Sequence, residues 1–403
     1  MVDLVCSLCG ASYPYMEHRQ RCPDDGEPLH VRLGRSAGEL TQVNGAGLLH
    51  RWRQFLPFDR IVEDIDLGVG DTPLVRSRRL AERLGMEGLY LKNDGLNPTG
   101  SFKDRGTVAG IQRALDMGFR AVGTVSSGNM AGSMAAFAAR AGLDCYVMVS
   151  SRILPEKLGP IGIYRPHLIL VEGDYGDLYR ESLAIGMDLG IYFIVGDDPF
   201  RVEGQKTVVL EICQQLGWET PDYIFMPVSS GGNMSGVLKG LREMEDWGII
   251  RQRPQVVGVQ AEGSSPIAKA FADGKRSFER LTSTNTICGA ITNPNPPSGN
   301  RVLRWLEGGS FGRVMTVTDD EALAAQKELA ELEGILVQPD SAVTVAAIRK
   351  SLQQGMLEPS ARTVAILTGN GLKDTSIFKR SPVETRQVPL ERLRELVTSL
   401  AAR

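Results

Sequence analysis

AVGTVSSGNMAGSMAAFAARAGLDCYVMVS, residues 121–150, is the stretch whose reading decides the fold. It opens on a β-rich run, AVGTVS (121–126), and breaks at a glycine-bearing turn. It then passes through the small-residue segment AGSMAAFAARAG (131–142) to a second β-rich run, CYVMVS (145–150). Working outward, the same texture recurs at GLYLK (88–92), HLILVEG (167–173), YIFMPV (223–228), VVGVQAE (256–262) and TVAILTG (363–369). Helical stretches such as GQKTVVLEICQQLG (204–217) alternate with them. That alternation argues for an α/β fold with mostly parallel sheets, in which ligands sit at the carboxyl ends of strands. The turns that follow strands are therefore where chemistry is sought. The end of the chain, 381–403, carries the amphipathic pattern LERLRELVTSL and is expected to form a terminal helix.

The 403 residues allow about two to three domains. A hydrophobic content of 42% with 23% charged residues excludes a mostly disordered chain. Forty-five Lys and Arg against 48 Asp and Glu leave a charge of −3, which gives no bulk attraction to nucleic acid or an anionic membrane. Partners are expected among small molecules and further copies of the chain, with no nucleic acid and no membrane. No run reaches the roughly 18 apolar residues that span a bilayer. MVDLVCSLCG also lacks a basic segment before an apolar core, so a cytoplasmic location is expected.

Three of the six cysteines fall in the first 22 residues, as Cys6-x-x-Cys9 and then Cys22-Pro-Asp-Asp25. Knuckles this small bury little core, so a metal would have to supply their stability. The usual second Cys-x-x-Cys is incomplete, with Asp25 in the fourth position. Cys6, Cys9, Cys22 and Asp25 could hold zinc as three thiolates and a carboxylate; the alternative is a degenerate ribbon kept for packing.

Four turns carry residues suited to one site. Asn97-Pro98-Thr99-Gly100-Ser101-Phe102-Lys103 leads into a helix whose N-terminus holds Lys103, a position that lowers an amine's pKa and favours a neutral nucleophile able to form a Schiff base. Ser126-Ser127-Gly128-Asn129 follows a strand and could grip a flat or anionic ligand, with the Asn129 amide on a ring oxygen. In Ser229-Ser230-Gly231-Gly232-Asn233, glycines let backbone N–H groups converge at a helix N-terminus, forming a phosphate cradle. Its spacing matches neither a nucleotide P-loop nor the dinucleotide fingerprint. Thr368, at the end of the last strong strand, offers a hydroxyl to a heteroaromatic nitrogen. Together these are the parts needed to hold pyridoxal 5′-phosphate.

The stretches LKNDGLNPTGSFKDRG, SSGNMAGSMAAFAARAG, RVEGQKTVVLEIC, GVQAEGSSPI, EGILVQPDSAV and LTGNGLKD resemble threonine synthases and their relatives in the tryptophan-synthase-β-like, fold type II family of pyridoxal phosphate enzymes. The resemblance implies two doubly wound α/β domains with the cofactor in the cleft between them, plus the small N-terminal cysteine ribbon. It places the ribbon at 1–33, the large cofactor domain at 34–88 and 176–380, a small mobile domain at 89–175 and a helical tail at 381–403. It makes Lys103 the Schiff-base lysine and proton shuttle, and puts Asn129 on the ring oxygen. Ser229, Ser230, Gly231, Gly232 and Asn233 would bind the cofactor phosphate, and Thr368 would face the pyridine nitrogen. Ser126, Ser127, Gly128 and Arg201 would bind substrate. The implied reaction is O-phosphohomoserine to threonine and phosphate, in a homodimer.

Several positions depart from the family pattern. Met130 stands where a Thr is usual, Val195-Gly196 where Asn-Ser is usual, and Ser230 where an Asn is usual, leaving Arg201 as the anion anchor. The cysteine ribbon, the Pro296-Pro297-Ser298 turn and VPLERL (388–393) also resemble cysteate synthase. Replacement on O-phosphoserine by sulfite, or a related β-replacing or dehydratase reaction, is therefore the alternative.

Overall fold

The computed structural model describes residues 2–34, 47–126, 128–151, 158–173, 175–374, 378 and 385–401. It divides into two compact units, Met1–Lys373 and Asp374–Arg403. The second contains the helix Leu393–Ala401, preceded by a short 3-10 turn at Leu390–Arg392, as the amphipathic pattern predicts. The first holds three sheets among its described residues.

The N-terminal ribbon is an antiparallel sheet of β1 (Val2–Cys6), β2 (Ser12–Pro14) and β3 (Leu29–Leu33), in the order β2-β1-β3. Next in the chain come β4 (Leu74–Arg76) and β5 (Leu89–Asn93), followed by β6 (Ala121–Val125), β7 (Asp144–Ser150), β8 (His167–Val171) and β9 (Ile191–Phe193). The last four are β10 (Tyr223–Pro227), β11 (Gln255–Ala261), β12 (Gly312–Val317) and β13 (Thr363–Leu367). A six-stranded sheet has the order β12-β11-β10-β13-β5-β4, parallel except for the antiparallel edge strand β4. A four-stranded parallel sheet has the order β8-β7-β6-β9.

Leu89–Asn93 adds to β13 in the six-stranded sheet, and Ile191–Phe193 pairs with β6 in the four-stranded one. Strand membership is a matter of which backbone edge is free to accept the next ladder, and a run of residues carries no mark of its partner. All five residues of β13 are buried, as expected of a central parallel strand covered on both faces.

Small residues let the helices approach closely. Helix Lys103–Asp116 packs against helix Pro199–Gln215 at Gly204, where a Cβ would fall 1.9 Å from the Arg105 carbonyl oxygen. Between these helices and β5 lies a fully buried ionic network. Arg105 donates to Asp94 (2.8 Å) and Glu211 (2.7 and 2.8 Å), and Lys92 Nζ donates to Glu211 (2.8 Å). Two cations face two carboxylates, so none of the four charges is buried uncompensated. The network anchors the first turn of the helix that starts at Lys103. No helix among the described residues is long and apolar enough to cross a membrane.

Candidate active site

The turn before Lys103 is tied to the segment after β13. Phe102 N donates to Thr368 O (2.9 Å), Asn370 N donates to Gly100 O (3.0 Å), and Ser101 bridges Gly369. Two turns that lie far apart in the chain thus become neighbours. Asp104 closes the turn by accepting from Thr99 N (2.7 Å) and Thr99 Oγ1 (2.6 Å). It also accepts from Ser133 Oγ (2.6 Å), which links the Lys103 helix to helix Asn129–Ala141.

Lys103, the first residue of its helix, lies in the wall of a cleft. Asn129, Arg201, Ser229, Ser230, Gly231, Asn233 and Thr368 share that wall. The Lys103 ammonium is 4.3 Å from the Phe102 ring centroid. Burial, and then the nearby Arg201 charge, hold its pKa well below the usual lysine range, while Asp340 opposes the shift. Desolvation is the main cause of this shift.

The glycine loop ends in Gly231, whose left-handed backbone (φ +85°) turns the chain into helix Gly232–Asp246. A Cβ at Gly232 would lie 2.2 Å from Gly196 O, so this residue packs against the 195–196 segment and is not in the cleft wall. Thr368 Oγ1 is 3.0 Å from Ser341 Oγ, which in turn accepts from Gly369 N (2.8 Å). Asn129 Nδ2 donates to Gln338 Oε1 at 2.6 Å. Arg201 Nη1 donates to Val195 O (3.1 Å), which folds the arginine over its own turn.

Other expected residues lie elsewhere. Ser126, half-buried at the end of β6, and the exposed Gly128 do not line the cleft, and Ser127 lies outside the described residues. Met130 is buried against Thr107, whose hydroxyl lies 3.8 Å from the Met130 sulfur, so its side chain faces the Lys103 helix. Gln205, Gln338, Asp340, Ala290 and Ile291 also line the wall, and sequence reasoning assigned none of them a role. Gln205 and Gln338 to Asp340 fall inside the motifs RVEGQKT and EGILVQPDSAV, which was the only signal available. Asp340 Oδ1 accepts from Ala290 N (2.6 Å) and Ile291 N (3.1 Å), fixing that loop beside the cleft.

The four ribbon residues are also brought together. One ligand atom from each of Cys6, Cys9, Cys22 and Asp25 lies within 4.8 Å of all the others.

A family model described as pyridoxal-phosphate dependent enzyme matches residues 65–369. The chain is 39% identical over 388 residues to a threonine synthase of Methanocaldococcus jannaschii, covering 94% of this chain and 95% of that one. It is 35% identical over 378 residues to a threonine synthase of Methanosarcina acetivorans, covering 93% of each. Among solved structures, the processed form of threonine deaminase isoform 2 from Solanum lycopersicum matches with TM-score 0.66 and 20% identity, over 85% of this chain and 96% of that one. Maize serine racemase matches with TM-score 0.63 and 23% identity, over 82% and 92%. At these identities the two structures speak for the fold alone.

Proposed function

Because this chain belongs to the pyridoxal-phosphate dependent enzyme family, we propose that it acts as a threonine synthase, converting O-phosphohomoserine and water to threonine and phosphate. The observation that carries the reading is the cleft in which the Lys103 amine, the Arg201 guanidinium and the glycine loop meet. The two archaeal threonine synthases, matched over nearly their whole length, support it.

The residues present fit the cofactor. An amine whose pKa burial lowers, backbone N–H groups at the Gly232 helix N-terminus, a hydroxyl at Thr368 and an amide at Asn129 form the donor set. Gln205 Oε1, buried in the same wall, has no hydrogen-bond partner among the described residues. Lys103 would hold the cofactor covalently, Ser229 to Asn233 its phosphate, Asn129 its ring oxygen and Thr368 its ring nitrogen. Bound there, pyridoxal phosphate supplies an electron sink for a carbanion at Cα of an amino acid.

The chain's own groups do the rest. Lys103 Nζ, whose pKa burial lowers, takes the proton from Cα and delivers protons along the side chain as phosphate leaves and water adds. Arg201, held by Val195 O and by the Asp198 cap of its helix, faces the leaving phosphate as the cation of the site. Thr368, restrained by Ser341, offers the ring nitrogen a neutral partner, which suits elimination and replacement better than transamination.

The test is phosphate release by the cofactor-loaded protein with O-phosphohomoserine, and in parallel with O-phosphoserine with and without sulfite, with products identified by mass spectrometry. Threonine and phosphate in equal amounts are expected from the first alone. Release from phosphoserine only, with cysteate formed, would overturn the reading. Lys103→Ala should remove the visible absorbance of the loaded protein together with the activity. Arg201→Ala should raise KM for the phosphorylated substrate roughly tenfold to a hundredfold, the value of about 1.5–3 kcal/mol for a lost charge-assisted bond.

A further inference from the structure

The structure assigns a zinc site to Cys6, Cys9, Cys22 and Asp25, and we propose that the zinc-held ribbon braces the turn that presents Arg201. The role given to Arg201 rests on the function proposed above; the metal site does not.

Two of the six pairs of ligand atoms lie near the spacing the ion requires, and all lie within 4.8 Å of one another. A tetrahedral zinc with bonds of about 2.3 Å to sulfur and about 2.0 Å to oxygen separates two sulfurs by roughly 3.8 Å, and a sulfur from an oxygen by roughly 3.5 Å. Cys9 Sγ and Cys22 Sγ are 3.7 Å apart, and Cys6 Sγ is 3.2 and 3.4 Å from the two Asp25 oxygens. All six cysteines are free thiols, so no disulfide competes for the position. Asp25 Oδ1 accepts from Glu27 N (2.9 Å), which orients the carboxylate and leaves Oδ2 toward the sulfurs. Leu8 N donates to Cys6 Sγ (3.3 Å), and the Tyr13 hydroxyl is 3.2 Å from Cys22 Sγ. Such outer contacts stabilise and orient thiolate ligands. Three thiols lose their protons to solvent on binding, and the filled site carries the same net charge as four thiolates around the ion.

The segment between Cys9 and Cys22 is the part of the ribbon that reaches the Arg201 turn. Gln20 Nε2 donates to Phe193 O (2.7 Å) and to Asp198 Oδ2 (2.9 Å), and Arg21 pairs with Asp197. Tyr15 packs edge-on against Phe200 at 5.6 Å, and His18 lies 5.1 Å from Tyr192. Asp198 is the cap of helix Pro199–Gln215 and accepts from Arg201 N (2.8 Å). The route from ligand Cys22 to the Arg201 backbone therefore runs along the chain itself from Cys22 to Gln20, and then through the hydrogen bonds of Gln20 and of Arg201 N to Asp198. A second anchor, Arg304 to Glu27 (2.6 Å) and Arg301 to Leu29 O (3.1 Å), holds the other side of the ribbon to the body.

The experiment uses the full chain, purified with its thiols reduced and without chelator. Metal analysis should give one zinc per chain, and exchange for cobalt should give the absorption of tetrahedral thiolate-bound cobalt. A zinc content near zero after zinc supplementation, with all thiols free, overturns the site. Asp25→Ala should weaken zinc binding at least about tenfold while Asp25→Cys retains it; equal affinity in Asp25→Ala removes Asp25 from the ligand set. For the brace, amide hydrogen exchange is compared with and without zinc. Stripping zinc should speed exchange at residues 197–202 about tenfold, leave β13 unchanged, and be reversed by zinc alone. Exchange that is unchanged at 197–202, or that rises uniformly over the body, overturns the brace. Neither readout depends on which amino acid is the substrate.

Discussion

Asp198 accepts three hydrogen bonds, from Arg201 N, Gln20 Nε2 and the Tyr192 hydroxyl, at 2.8, 2.9 and 2.7 Å. Burial pushes its carboxyl up to about 6, and the charge of Asp197 adds to the rise; the bonds from Tyr192 and Arg201 N and the Arg201 charge work against it. A carboxyl that ionises near 3.8 when unfolded and near 6 when folded holds its proton more tightly in the fold. Its contribution to stability is complete below the unfolded value and is lost as pH rises through about 6. Asp198→Asn should therefore flatten the pH dependence of the denaturant midpoint between about pH 4 and 6. Parallel profiles in the two proteins would mean that Asp198 ionises as an ordinary carboxylate. The sequence placed Arg201 after Asp197-Asp198-Pro199-Phe200 and so exposed the anchor, but nothing in the chain order announces that Gln20 and Tyr192 converge on its cap.

The helices Lys103–Asp116 and Pro199–Gln215 are held together by an absence of side chain at Gly204 and by the ionic network at its buried end. Gly204→Ala inserts a methyl into the Arg105 backbone and should cost about 1–3 kcal/mol in denaturant unfolding, with weaker cofactor retention because the Lys103 turn must shift. A neutral result would mean that the two helices can slide apart without cost. Glu211 bridges Arg105 and Lys92, and these charges hold its carboxyl well below the usual range despite its burial. Glu211→Ala leaves two buried cations facing one carboxylate and should cost about 3–5 kcal/mol; a loss below about 1 kcal/mol would show that water or relaxation replaces it. Seven strands read from β-rich runs are present, from Leu89–Asn93 to Thr363–Leu367. The strands not read are the three of the N-terminal ribbon with Leu74–Arg76, Ile191–Phe193 and Gly312–Val317, and three of them, Ser12–Pro14, Leu74–Arg76 and Ile191–Phe193, are three-residue pieces too short to carry a period of their own.

Across the first compact unit, the cleft wall draws on residues from Phe102 to Thr368, so each contribution is separated from the others by whole strands and helices. A ligand that bridges such a wall binds the folded chain and not the unfolded one. Pyridoxal phosphate at about 100 times its dissociation constant should raise the stability of the unit by about 2.7 kcal/mol, read as a shift of the unfolding midpoint. A midpoint that does not move with saturating cofactor would mean that the cleft does not hold it. The amino-acid sequence by itself determined the alternation of strand and helix, the turns bearing Lys103, Asn129, Ser229 to Asn233 and Thr368, and the cysteine spacing. Each of these is a local pattern, written in backbone propensity and side-chain chemistry over a few residues. Only the tertiary structure decided which sheet β5 and β9 join, that Gln205, Gln338 and Asp340 enter the cleft, and that Asp25 closes on Cys6. Those outcomes depend on which distant surfaces bury one another, and burial is a property of pairs of segments that no single segment carries.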